Sequence, residues 1–138
     1  TEEAVYEDSI QSIEVLSNRA ESSTPTESKA VLANATVYFE FDSFNLSTRS
    51  IQALKSITSL MQDNPEIEIT IAGHADERGT REYNLALGQR RAESVADYIE
   101  LKGISRSRLT VKSYGEEMPM TQGANERSWA RNRRAEIN

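Results

Sequence analysis

Along residues 36–138 the spacing of apolar side chains switches repeatedly between a period of two and steps of three and four, and that switching restricts the chain to a layered α/β fold. Residues 36–41 are β-branched and aromatic, with Val37, Phe39 and Phe41 on one face, and end at the turn-prone pair Asp42-Ser43. Ser47 is placed to cap a helix stapled by Leu46 and Ile51; Leu54, Ile57, Leu60 and Met61 continue its stripe until Asn64-Pro65 stops it. Ile67, Ile69 and Ile71 then alternate with Glu68 and Thr70 in a second strand, which runs into a polar loop over residues 72–79. The longest helix is predicted over residues 81–102, and its small residues Gly88, Ala92 and Ala96 predict close packing on a sheet. A third strand over 109–114, a polar loop with Gly115, Pro119 and Gly123, a short helix over 126–131 and a last strand to Ile137 complete the pattern. The order predicts right-handed crossovers between parallel neighbours. Alternating rather than wholly apolar strands predict helices on one sheet face only.

The first 34 residues read differently. They hold 7 of the 22 acidic residues against 2 of the 16 basic ones, a local charge of −5 within a total of −6. Their Ser/Thr/Pro-rich stretch, residues 18–30, reads as linker, and Val5, Ile10, Ile13 and Leu16 mark one short amphipathic helix. The division is therefore an acidic tether, 1–34, and one folded domain, 35–138. The charge balance argues against nucleic acid, because phosphate neutralisation needs a broad cationic face. No stretch approaches the roughly 20 apolar residues of a membrane-spanning helix. Without Cys and with a single His there is no thiol nucleophile and no Cys/His zinc site, so neither metal nor cofactor is expected. The chain opens at Thr1 with no basic and apolar leader, as expected of a processed or truncated export product.

Candidate chemistry gathers in the loop after strand two, where open α/β sheets bind ligands. Asp76, Glu77 and His74 invite an acid/base reading, but no positioned nucleophile, base and orienting group accompany them, so an enzyme is not predicted. His74 reads as a hydrogen-bonded loop former. Asn84, Leu87 and Arg91, three and four residues apart, share one helical stripe. If the loop folds over that helix, Asp76 and Arg91 face each other either as a plain salt bridge or as two grips on a ligand. In the second case Arg91 takes a carboxylate bidentately and Asp76, which can only accept, faces an ammonium. The pair then reads a zwitterion. Arg127, Arg131, Arg133 and Arg134 form the only basic cluster, either a solvated face or a brace for Asp42 or Asp76.

Gly73-His74-Ala75-Asp76-Glu77-Arg78-Gly79-Thr80, Glu82-Tyr83-Asn84, Leu87, Arg90-Arg91-Ala92, Ser113-Tyr114-Gly115-Glu116 and Asn132-Arg133-Arg134, in that order, closely resemble the OmpA-like peptidoglycan-binding domain over residues 36–138. The loop and long helix look most like the lipoprotein branch of that family. The resemblance implies a two-layer α/β sandwich of βαβαβ type, a mixed sheet of about four strands covered on one face by helices. It implies noncovalent, non-catalytic binding of the meso-diaminopimelate stem peptide of peptidoglycan, with no cofactor. Asp76 and Arg91 fall on the family's diaminopimelate-binding pair. Phe41, Asp42 and Ser43 match the segment lining the same groove, and Arg78, Asn84 and Leu87 complete its wall. A periplasmic location attached to the outer membrane follows, through a lipid anchor upstream of this Cys-free chain. The alternative partner class is periplasmic proteins of a Tol-type envelope complex docking on the same face. Relatives continue a few residues beyond the point matching Asn138, so a clipped final strand is expected.

Overall fold

In a computed structural model that describes residues 35–138, the alternating periods resolve into four strands and three α-helices. The strands are β1 (Ala35–Tyr38), β2 (Ile69–His74), β3 (Leu109–Gly115) and β4 (Arg134–Ile137). The helices are α1 (Thr48–Asp63), α2 (Arg81–Leu101) and α3 (Glu126–Asn132), with one 3-10 turn at Arg106–Arg108. Sheet order is β1-β4-β2-β3; β4 runs antiparallel to both neighbours, while β2 and β3 are parallel. The expected mixed four-stranded sheet is therefore present, with β4 inserted between β1 and β2.

Register assigns the two faces. Val37 pairs with Ala135, and Ile71 with both Ile137 and Val111. These residues share one core with Leu54, Ile57, Leu60 and Met61 of α1 and Ala92, Val95, Ala96 and Ile99 of α2, so both long helices lie on one face. Ser47, Thr80 and Asn125 cap the three helices, each side chain accepting a backbone N–H of the first turn. Alpha2 comes close enough to β2 that Gly73 and Gly88 meet backbone to backbone.

Two boundaries depart from expectation. Strand β1 ends at Tyr38, so Phe41 does not join the core: Phe39 is buried and Phe41 is 58% exposed. The cause is a turn in which the Ser43 N–H donates to the Glu40 carbonyl and Asp42 adopts φ +54°, a left-handed conformation that Asp tolerates. Strand β2 runs on through Ala72, Gly73 and His74, which had read as loop. The final strand pairs over Arg134–Ile137 with β1, and Asn138 exchanges two backbone hydrogen bonds with Thr70. The expected tether and its helix lie outside the described residues. Ala35, the first described residue, lies at one end of the sheet, beside Ile137, whereas residues 41–43 and 75–79 follow β1 and β2 at the other end.

Candidate functional site

At that second end the β1–α1 turn, the loop after β2 and the first turns of α2 enclose a cleft of about 220 Å³. Phe41, Asp42, Asp76, Arg78, Asn84, Leu87 and Arg91 line it, together with Ala75, Gly79 and Tyr83. Of the sequence candidates only Ser43 contributes no lining surface. It takes part through its backbone carbonyl, which accepts from Arg91 Nε at 2.8 Å.

Arg91 forms the floor and is fully buried. Its other two nitrogens donate to the carbonyls of His74 at 2.9 Å and Glu40 at 3.1 Å, so one guanidinium ties the β1–α1 turn to the end of β2. Three of its five N–H groups are thereby committed and two remain. Burial lowers its pKa to about 10, with Arg133 adding to the fall and Asp76 and Asp42 opposing it, so it stays charged at neutral pH. Asn84, also buried, donates to Glu116 Oε1 at 3.0 Å and is held in the wall by the loop after β3.

Asp76 and Arg91 do not form the plain salt bridge that spacing left open. Asp76 instead accepts from Arg78 three times: from its backbone N–H at 3.0 Å, from Nε at 3.2 Å and from Nη2 at 2.9 Å. Arg133 Nη1 stands 3.6 Å from the same carboxylate. Burial alone would raise the Asp76 pKa; the Arg78 hydrogen bonds and the charges of Arg78 and Arg133 outweigh it and hold the carboxyl below its ordinary range. Asp76 is an anion among cations.

The solvated-face reading of the C-terminal arginines fails for two of the four. Arg133 and Arg134 are buried. Arg133 Nε donates to the Phe39 carbonyl and Nη2 to Glu126, which makes it the brace of Asp76. Arg134 bonds Glu136 and the Met118 carbonyl on the helix-free sheet face. His74 is likewise corrected. It is a strand residue, its ring is buried on that open face against Tyr114, and neither ring nitrogen has a hydrogen-bond partner. Burial, with the Arg134 charge, lowers its pKa to about 4 despite Glu136 nearby, so it is neutral at pH 7 and points away from the cleft.

Sequence reasoning missed the lining residues Ala75, Gly79 and Tyr83 and, behind the wall, Trp129, which supports Arg78. The Arg78 guanidinium carbon stands 4.0 Å from the centre of the Trp129 ring and 4.1 Å from that of Phe41, and the indole N–H donates to Glu77 at 3.1 Å. Nothing local in the sequence marks Trp129, because its partners come from the loop after β2. Among the described residues no group of three or more His, Cys, Asp or Glu side chains is arranged to hold a metal ion.

A family model described as the OmpA family matches residues 38–133. The peptidoglycan-associated lipoprotein of Pseudomonas putida is 45% identical over 81% of this chain and 67% of its own length. The protein of that name from Pseudomonas aeruginosa is 44% identical over 78% of this chain and 64% of its own. The chain thus spans about two thirds of the length of these relatives. Among solved structures, the peptidoglycan-associated lipoprotein from Burkholderia pseudomallei aligns with a TM-score of 0.74 at 42% identity, over 77% of this chain and 90% of that one.

Proposed function

The chain belongs to the OmpA family, and from that premise we propose that its cleft binds peptidoglycan noncovalently through the free stereocentre of meso-diaminopimelate in the stem peptide. Asp76 receives the ammonium, and the two uncommitted N–H groups of Arg91 receive the carboxylate. The backbone turn at Phe41, Asp42 and Ser43 and the side chains of Arg78, Asn84 and Leu87 frame the remainder. The observation that carries this reading is one cleft lined by both a carboxylate and a guanidinium that are not paired with each other. Every group in this arrangement binds and none is placed to attack a bond, so the module is a non-catalytic anchor. Attached to the outer membrane through a lipid group upstream, it ties that membrane to the wall from the periplasm. A single small-ligand contact of this size is weak, and many copies on one polymer raise the hold through avidity.

Cosedimentation with purified peptidoglycan tests this. Asp76→Ala is expected to lose the wall while keeping its circular dichroism spectrum, and walls carrying lysine in place of diaminopimelate are expected to bind poorly, since Arg91 then lacks its carboxylate. Equal pelleting of variant and wild type, or equal binding to both wall types, refutes the assignment.

Exposed Phe41 and Tyr83, both lining the cleft, favour a second use of the same face, docking of a periplasmic protein of a Tol-type complex. A partner captured from periplasmic extract and released by soluble wall fragments supports that use; a partner that stays bound excludes a shared face.

A further inference from the structure

The anion meant for a ligand's ammonium is already occupied by the protein's own cation. Arg78 takes both oxygens of Asp76 with Nε and Nη2, and its guanidinium lies between the rings of Phe41 and Trp129 at 4.1 and 4.0 Å. A carboxylate offers about four lone-pair positions. The backbone N–H and side chain of Arg78 use three, and Arg133 faces the second oxygen. With those positions engaged, an incoming ammonium has no free approach to Asp76 while Arg78 stays in place. Arg78, by contrast, is 31% exposed and lies at the cleft wall, with solvent available to swing into.

We propose that Arg78 is a resident stand-in for the ligand's ammonium, a latch held shut by the Phe41–Trp129 sandwich that a zwitterionic head group must displace to reach Asp76. This rests on the binding reading above and adds to it a specificity determinant: ligands without a cation cannot compete for Asp76, and the latch sets how tightly those with one are held. Two aromatic rings and a salt bridge to a guanidinium about one third exposed form a modest barrier. Helix α3 controls it, because Trp129 is anchored through its indole N–H to Glu77, the residue between Asp76 and Arg78.

The test measures affinity, by titration, for a soluble stem peptide with a free diaminopimelate amine and for the same peptide N-acetylated at that amine. Arg78→Met is expected to bind the free-amine peptide roughly three- to tenfold more tightly than wild type. It should bind the acetylated peptide no better than wild type does. Arg78→Lys, which keeps the charge and loses the planar fork, is expected between the two. Trp129 is the only tryptophan in the chain, so its emission should shift when the amine peptide binds wild type and shift less in Arg78→Met. Equal or weaker binding of the amine peptide by Arg78→Met overturns the latch. If Asp76→Ala also leaves binding unchanged, the binding reading itself fails; if Asp76→Ala abolishes binding and Arg78→Met does not tighten it, the latch alone fails.

Discussion

Gly73→Ala strikes the point where helix and sheet approach most closely. A Cβ at residue 73 would stand 1.7 Å from the Gly88 carbonyl oxygen, 2.5 Å from its carbon and 3.1 Å from its Cα. Opening the first distance to 3.0 Å requires a retreat of 1.3 Å (3.0 − 1.7), and the obstructing atoms are backbone in the middle of a 21-residue helix, with no side chain to rotate aside. Alpha2 must therefore lift as a body. That loosens Ala92, Val95 and Ala96 against the sheet and carries Arg91 away from the His74 carbonyl. Ordinary overpacking costs about 1–3 kcal/mol, and a backbone obstruction belongs at or above the upper end, about 3 kcal/mol or more. For a domain of this size that is a fall in Tm of roughly 12–24 °C, read by thermal circular dichroism. Gly88→Ala meets the Ser113 hydroxyl at 2.3 Å, which can rotate, and the Gly73 carbonyl oxygen at 2.9 Å, so its loss should be smaller. Gly103→Ala meets only the Gln62 side-chain nitrogen at 4.0 Å, an ordinary contact, and incurs mainly the strain of φ +103°, about 1 kcal/mol. A Gly73→Ala protein melting within about 4 °C of wild type, or the order Gly88→Ala worse than Gly73→Ala, would refute this account of the helix–sheet contact.

Two further outcomes are expected. His74 is protonated below pH 6.5 in the unfolded chain but only below about 4 in the fold, so between these values the unfolded state binds more protons. Stability should then decline as pH falls from 6.5 to 4, by roughly 3 kcal/mol from this group. Urea midpoints across that range should fall less steeply for His74→Leu, and parallel curves would contradict the buried neutral imidazole. Arg91→Ala strips a charged donor from the carbonyls of Glu40, Ser43 and His74 and should lower stability by about 3–5 kcal/mol as well as wall binding. A loss under 1 kcal/mol in urea denaturation would show that the guanidinium serves the ligand alone.

The residues that sequence reasoning brought together correctly obey local rules. Asn84, Leu87 and Arg91 share a stripe because a helix repeats every three to four residues, and Asp76 adjoins them because the loop after a strand opens at the sheet's end. The failures come from tertiary competition. Alternation carried Phe41 into the core on paper, yet β1 ends earlier because the carbonyls of Glu40 and Ser43 are drawn to Arg91. Gly73 and His74 look like loop residues by composition, but β2 is central and the ladders on both sides override that preference. Arg127 and Arg131 stay exposed while Arg133 is buried, because Arg133 found the Phe39 carbonyl and Asp76, partners that no spacing along the chain could reveal. Trp129 escaped notice for the same reason.

The cleft and Ala35 lie at opposite ends of β1, and that placement decides how a load applied between them is carried. A load between Ala35 and the 76–91 side of the cleft, where we propose the wall is held, enters along β1, parallel to its axis. The hydrogen bonds joining β1 to β4 lie across that axis, so the four paired positions from Ala35–Ile137 to Tyr38–Arg134 are strained together in shear and cannot unzip one by one. A four-residue edge strand, fragile if peeled, is thereby loaded in its most resistant direction.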